Sequence, residues 1–190
     1  MAPEDLAALA MRARDGDARA RRELLVELYA AVRKHMYLVV RDPALAEDAV
    51  QETMIAIHRG LPAFRGDSNP RSWALTIATR TAYRLRRKEA RYVVRDDVPE
   101  LEIFDTDQQG AGELAMLRRL LGALAPKKRD AFVLMAIFEL SADEAARALG
   151  TFANTAASRF RHARADLEAA LSRKVDEAAV FPRTKQVGHA

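Results

Sequence analysis

The sequence contains no cysteine, only eight glycines and seven prolines, and a single tryptophan. The absence of cysteine excludes a disulfide framework and thiolate metal sites, and it is compatible with a reducing cytoplasm. No apolar run reaches the roughly 18 residues that a membrane-spanning helix needs. The first residues, MAPEDLAALAMRARDGD, are acidic and interrupted, unlike a secretory signal. We therefore expect a cytoplasmic protein.

Almost the whole chain carries apolar residues at intervals of three and four, which is the pattern of amphipathic helices. No segment alternates convincingly in the manner of a strand. Helix starts are indicated by Asp17 and by the pairs Asp42–Pro43 and Asn69–Pro70, because Asp and Asn cap helices and proline suits the first helical position. The sequence therefore predicts an all-α fold class.

Residues 92–112 interrupt this helical pattern. They contain six acidic residues against one arginine, together with Pro99 and two glycines near their end. This composition is typical of a flexible acidic linker. The sequence thus predicts two small helical domains, residues 1–91 and 113–175, followed by a flexible tail at 176–190.

The second domain carries a helix-turn-helix pattern. Ser141 and Glu144 have the spacing of a capping box, and Gly150 suits the tight turn that ends the short helix. The next helix has one face of small and apolar residues, namely Ala156, Phe160, Ala163 and Leu167. Its other face presents Thr155, Ser158, Arg159 and His162. Such a helix enters the DNA major groove, although an ordinary helical hairpin with a solvated basic face has the same pattern.

The first domain contains a basic helix next to an acidic one. Residues 80–91 hold six basic residues and one acid, which suits contact with phosphates but also occurs on solvated faces. Trp73 and Ile77 have a helical spacing that favours a core position for the tryptophan over base stacking. The preceding helix has an acidic and polar face around Asp48 and Glu52. That face is either solvated surface or a docking face for a basic protein.

Two stretches of the sequence resemble a known family. DPALAEDAVQETMIAIHRGLPAFRG and the following RSWALTIATRTAYRLRR resemble region 2 of bacterial sigma factors. LGALAPKKRDAFVLMAIFELSADEAARALGTFANTAASRFRHARADL resembles their region 4. The two-domain layout and the length resemble the extracytoplasmic-function (ECF) group of the sigma-70 family.

The resemblance implies a sigma factor whose partners are core RNA polymerase, promoter DNA and an anti-sigma factor, and which is monomeric when free of them. The acidic face would dock on core polymerase through Asp48, Gln51 and Glu52. Region 2 would read and melt the −10 element through Phe64, Arg65, Ser68, Asn69, Arg71, Arg80, Arg84 and Arg87. Region 4 would read the −35 element through Asn154, Thr155, Ser158, Arg159 and His162. The acidic linker would run through the polymerase toward the RNA exit path.

The sequence departs from the family pattern at several of these positions. Thr79 and Arg80 stand where the family usually has arginine and asparagine, and Arg84 falls near a frequent aspartate. These changes bear on the −10 base preference and on melting. In region 4, Asn154 stands where the family commonly has glycine and Ala157 where it has lysine. The resemblance therefore predicts one phosphate contact fewer than in the family.

Two other classes of function compete with the sigma factor. A stand-alone helix-turn-helix regulator would bind a duplex operator without polymerase, but it leaves the acidic docking face unexplained. An enzyme finds no support, because the sequence has no glycine-rich phosphate loop, no metal-spaced histidines among its four, and no nucleophile with a partner. We therefore expect no enzymatic activity, cofactor, metal or small-molecule substrate.

Overall fold

The computed structural model describes the backbone of residues 3–40, 42–92 and 111–180. Within these ranges every regular element is helical, which confirms the all-α prediction. Most of the predicted linker, residues 93–110, and the end of the predicted tail, residues 181–190, lie outside the described residues. None of the described helices is both long and apolar enough to cross a membrane.

In the part of the chain that the structure describes, four α-helices precede the linker and four follow it. The first four are α1 (Pro3–Arg14), α2 (Ala18–Val39), α3 (Pro43–Gly60) and α4 (Pro70–Tyr92), with a 3₁₀ turn at Leu61–Ala63 after α3. The others are α5 (Ala111–Gly122), α6 (Pro126–Phe132), α7 (Ala142–Leu149) and α8 (Ala153–Val180). A π-helical turn at Val133–Ile137 continues α6.

The helix ends lie where the capping residues predict them. The side chain of Asp42 accepts a hydrogen bond from a first-turn amide of α3, and that of Asn69 does the same for α4. Ser141 and Glu144 form the complete, reciprocal capping box of α7. Gly150 ends α7 in the left-handed conformation, with φ 60° and ψ 45°. These groups satisfy backbone donors and acceptors that a helix end otherwise leaves unpaired, so local sequence sets the boundaries.

Helix α2 lies at the centre of the first domain and contacts α1, α3 and α4. Its buried face repeats at helical spacing through the fully buried side chains Leu24, Leu28, Val32 and Met36. Alanines on the neighbouring helices are also fully buried, among them Ala49, Ala74 and Ala78. Small side chains let helix backbones approach closely, so this domain forms a tight core from short side chains.

The two domains pack against each other, which the sequence did not predict. Helix α4 of the first domain contacts α7 of the second. Leu75 of α4 is fully buried in the second domain's apolar cluster, together with Leu134 and Ala145. At the far end of the same interface, Arg86 donates two hydrogen bonds to the carboxylate of Asp130, at 3.1 and 2.7 Å. The two domains therefore share a core and a buried ion pair.

A second set of contacts joins α2 to the second domain. Arg118 donates to the carbonyl of Val40 at 3.2 Å, and its guanidinium lies 4.3 Å from the ring centre of Tyr37. His35, which is fully buried, lies with its ring 5.8 Å from that of Phe138. The interface thus combines apolar packing with charged groups that are largely withdrawn from solvent.

Candidate nucleic-acid interface

The turn between α7 and α8 sets the start of the predicted recognition helix. After the left-handed Gly150, the amide of Thr151 donates back to the carbonyl of Ala146 at 3.0 Å. The carbonyl of Phe152 then accepts from the amides of Thr155 and Ala156, both at 3.0 Å, which places Phe152 at the N-cap of α8. A helix followed by a glycine turn and a second helix is the helix-turn-helix arrangement that the sequence predicts.

Helix α8 has a buried face and an accessible face. Ala156 and Ala163 are fully buried, and the half-buried Phe160 lies with its ring 5.9 Å from that of Phe132. The residues predicted to read the −35 element all lie on the accessible side at the beginning of the helix. Among them, Asn154 and His162 are exposed, and Thr155, Ser158 and Arg159 are half-buried. The structure thus brings this predicted set together on one surface.

Two accessible residues of the same region were missed from the sequence. Phe152 is 83% exposed at the N-cap of α8, and Arg161 is exposed within the helix. The sequence signal for Phe152 was its place directly before the helix. The apolar periodicity of α8 begins only at Ala156, so periodicity alone does not assign Phe152 to the helix start.

The basic residues predicted for the −10 element divide into two places on α4. Arg80, Arg84 and Arg87 are exposed and follow one another by four and three positions, so they form a row on one side of the helix. Arg71 is also exposed, but nine positions from Arg80 correspond to half a turn, and it lies on the other side near the N-terminus. The row, called here the α4 arginine row, places three arginines on one side of the helix.

The loop before α4 differs in part from its predicted role. Phe64 was predicted as a DNA contact, but only 5% of it is exposed and its ring lies 5.0 Å from that of Trp73. Both aromatic residues pack on the core of the first domain, which withdraws the Phe64 ring from the surface. By contrast, Arg65 and Asn69 are exposed, and Ser68 is half-buried between them.

The departure at Thr79 is a packing feature. Thr79 is 1% exposed, and its hydroxyl donates to the carbonyl of Leu75 at 2.8 Å. The same oxygen lies 3.2 Å from Nε2 of His35 on α2. Burial, and secondarily the positive charge of Arg86, lowers the pKa of His35 from 6.5 to about 3. Thr79 and His35 therefore connect α2 and α4 inside the protein. Of the two residues that depart from the family pattern here, Thr79 is buried and Arg80 is exposed.

The acidic face of α3 is accessible and borders the α4 arginine row. Asp48 and Gln51 are exposed, and the apolar side chain of Ile55 on the next turn is 51% exposed. Glu52 is half-buried and accepts a hydrogen bond from Arg84 at 2.6 Å. The predicted docking face and the predicted DNA face are therefore joined by an ion pair.

Comparison with known proteins identifies both domains. The family described as Sigma-70 region 2 matches residues 24–92, and the family described as Sigma-70, region 4 matches residues 114–167. The RNA polymerase sigma factor CnrH of Cupriavidus metallidurans is 31% identical over 90% of this chain and 97% of its own length. The ECF RNA polymerase sigma factor SigC of Mycobacterium tuberculosis is 29% identical over 85% of this chain and 88% of its own.

A solved structure supports the same assignment. The sigma factor RpoE of Bartonella quintana, in complex with the anti-sigma factor NepR, matches with a TM-score of 0.71 and 26% identity, over 82% of this chain and 98% of that one. The fold and the accessible face of α8 define a helix-turn-helix protein with a second helical domain. Together with the two family matches, they show that the chain belongs to the ECF group of the sigma-70 family. As a sigma factor, it binds core RNA polymerase and promoter DNA, which confirms the resemblance and argues against the stand-alone regulator.

Proposed function

We propose that this sigma factor acts in the cytoplasm, without catalytic chemistry of its own, through three surfaces of the described structure. The accessible face of α3 docks on core polymerase, the α4 arginine row holds the −10 region, and the accessible face of α8 reads the −35 element as duplex. The observation that carries the proposal is the α8 surface. There, five accessible polar residues lie near the start of the helix that follows the glycine turn. These are Asn154, Thr155, Ser158, Arg159 and His162.

The α4 arginine row is suited to a DNA backbone. Arg80 and Arg87 are exposed cations that bracket Arg84 on one side of the helix. Arginine side chains neutralise phosphates and release condensed counterions, so the row holds the strand near the melted bases. Phe64 supports the helix that carries this row, because its ring packs on Trp73 of α4. We assign the loop residues Arg65, Ser68 and Asn69 to the strand contact.

Docking on polymerase fits the mixture of groups on α3. Asp48 and Gln51 offer acceptors, and Ile55 adds an exposed apolar surface on the next turn. An apolar centre with a polar border is the usual composition of a protein interface. Since Glu52 already binds Arg84, polymerase contact at this face and DNA contact at α4 would be linked.

Promoter recognition requires the two domains to separate. The −10 and −35 elements lie about 25 base pairs apart, which is about 85 Å along B-DNA at the rise per base pair of the duplex. In the described structure, Leu75 of α4 is buried in the core of the helix-turn-helix domain. We therefore assign the packed arrangement to the factor away from the promoter. Opening would expose the buried pair of Arg86 and Asp130.

An anti-sigma factor is the proposed regulator. The structural relative RpoE is solved in complex with the anti-sigma factor NepR, and its fold covers 82% of this chain. A partner of this kind would stabilise the packed arrangement and cover the α3 face. Such a partner would hold the two proposed domains, residues 1–91 and 113–175, against each other.

The proposal is tested by run-off transcription with bacterial core polymerase on genomic DNA fragments of the source organism. Discrete transcripts that need both core polymerase and this protein are expected. A variant carrying Ser158→Ala and His162→Ala should lose transcripts from promoters that depend on the −35 element while retaining core binding. Polymerase-independent binding to a duplex site, with no new transcript, would overturn the proposal.

A further inference from the structure

Phe152 is the most exposed of the large apolar side chains in the described part of the chain. It is 83% exposed, compared with 71% for Val26 and 63% for Met116. Single exposed apolar residues are common on protein surfaces and need no explanation by themselves. The position of Phe152 in the helix-turn-helix is what distinguishes it.

The ring stands at the end of the recognition helix that enters DNA. The carbonyl of Phe152 accepts the first-turn amides of Thr155 and Ala156, so the residue is fixed at the N-cap of α8. The exposed Asn154 follows two positions later. In helix-turn-helix proteins, the N-terminal residues of this helix contact the base edges in the major groove. A side chain that is solvated here in the free protein therefore meets the groove when DNA is bound.

The chemistry of the ring restricts what it can contact there. A phenyl group neither donates nor accepts a hydrogen bond, so it contributes no such bond to phosphates or base edges. Among the groups that base pairs present in the major groove, the C5-methyl of thymine is the apolar one. We propose that Phe152 is a specificity-determining residue that packs on the methyl group of a thymine in the −35 element. This inference rests on the proposed function of α8.

The test uses holoenzyme and a promoter located by run-off transcription. Each thymine of its −35 element, on both strands, is replaced in turn by deoxyuracil, which removes only the methyl group. For the wild-type protein, one replacement should weaken holoenzyme binding about three- to fivefold, the expected effect of one buried methyl group. Phe152→Ala should weaken binding to the thymine promoter at least as much and should remove the sensitivity to that replacement. Phe152→Leu should restore part of the sensitivity to that replacement.

Leu171→Ala is the matched control. Leu171 is an exposed apolar residue of the same helix, 44% accessible, and nineteen positions place it about 28 Å further along the axis. This variant should keep the full sensitivity to deoxyuracil. Thermal unfolding of Phe152→Ala should match that of the wild type, because truncating an exposed ring leaves no cavity.

Two results would overturn the contact while leaving the proposed function intact. One is that Phe152→Ala retains the deoxyuracil effect, and the other is that the wild type responds at no thymine. In either case, weaker binding of Phe152→Ala to core polymerase alone would assign the ring to a protein contact. If wild-type holoenzyme gave no specific transcript, the proposed function itself would fail, and the thymine contact with it.

Discussion

Arg84 of α4 and Glu52 of α3 form an ion pair across two helices, with Nη1 and Oε1 2.6 Å apart. The two residues stand 32 positions apart in the sequence, and each belongs to a different proposed surface. Glu52 lies on the proposed polymerase-docking face, and Arg84 lies in the middle of the α4 arginine row. Since one guanidinium serves both surfaces, a change at either side alters the charge presented by the other.

Replacing Arg84 with alanine should affect DNA binding more than folding stability. The pair is largely solvated, with 59% and 42% of the two side chains exposed, so its loss should cost less than about 1 kcal/mol of folding free energy. Loss of one phosphate contact should weaken holoenzyme binding to the −10 region and reduce the slope of log affinity against log salt by about 1. Titration of promoter fragments at several salt concentrations measures this slope.

Arg19→Ala is the matched control for this experiment, because Arg19 forms a similar exposed pair with Glu23 but lies on α2 and is not part of the α4 arginine row. Its salt slope should equal that of the wild type. If Arg84→Ala also left the slope unchanged, Arg84 would not contact the backbone, and its role would be confined to Glu52.

Replacing Arg86 with alanine should open the molecule. The carboxylate of Asp130 is only 1% exposed, and without Arg86 it would remain buried without its ion-pair partner until the domains separate. Removing one partner of a buried pair is strongly destabilising. Since the Arg86 side chain is itself 21% exposed, we expect about 2 kcal/mol against the packed arrangement. Small-angle X-ray scattering should then show a larger radius of gyration.

Lys128→Ala provides the comparison for Arg86→Ala. It removes the ion pair with Asp166, which joins α6 and α8 within the second domain and is partly exposed. The radius of gyration should not change in this variant. An unchanged radius in Arg86→Ala as well would mean that the apolar packing around Leu75 holds the domains together without the ion pair.

The helices were predictable because their signals are local. Asp42, Asn69, Ser141 and Gly150 each determine a helix end through backbone hydrogen bonds or dihedral angles within a few residues. The accessible face of α8 was predictable for the same reason, since a helical period assigns faces without knowledge of the rest of the fold. A helix end or a helix face can be predicted from local sequence wherever the residues that determine it lie close together in the chain.

The contacts between distant helices were not predictable in this way. Nothing in the sequence around Phe64 distinguishes a core aromatic from a surface one, because its partner Trp73 lies on another element. The same holds for Arg86 and Asp130, which are 44 positions apart. The six basic residues at 80–91 suited either phosphate contact or a solvated face, and nothing in their pattern indicated that Arg86 pairs with Asp130 at the domain interface.

The folded protein should lose stability in mild acid because of His35. Its ring is buried between α2 and α4 beside Phe138, and burial, together with the charge of Arg86, lowers its pKa to about 3. The unfolded chain has an ordinary histidine pKa near 6.5, so it binds more protons between these values. The contribution of His35 is therefore complete above pH 6.5 and is lost progressively as the pH falls toward 3.

Urea unfolding at pH 7 and at pH 5.5 measures this contribution. We expect a loss of roughly 1 kcal/mol from His35 over that interval, since one pKa unit corresponds to about 1.4 kcal/mol. His35→Leu should lessen the pH dependence by that amount, although loss of the contact with Thr79 lowers its stability at both values. Equal pH dependence in the two proteins would show that His35 is accessible to solvent in the native state.

Replacing Gly150 with alanine should destabilise the helix-turn-helix through the backbone alone. Gly150 has φ 60°, and a Cβ built there meets no atom within 4 Å, so steric contact with neighbours does not contribute. The left-handed conformation itself costs an L-residue roughly 1–2 kcal/mol. In a chain of this size, a loss of 1 kcal/mol of folding free energy lowers the melting temperature by about 2–4 °C.

Gly122→Ala is the control variant. Gly122 lies at the end of α5 in another open position but without positive φ, so the substitution should leave stability unchanged or raise it. If both variants melted together, the turn would have relaxed out of the left-handed region, and DNA binding by α8 would then be expected to fall.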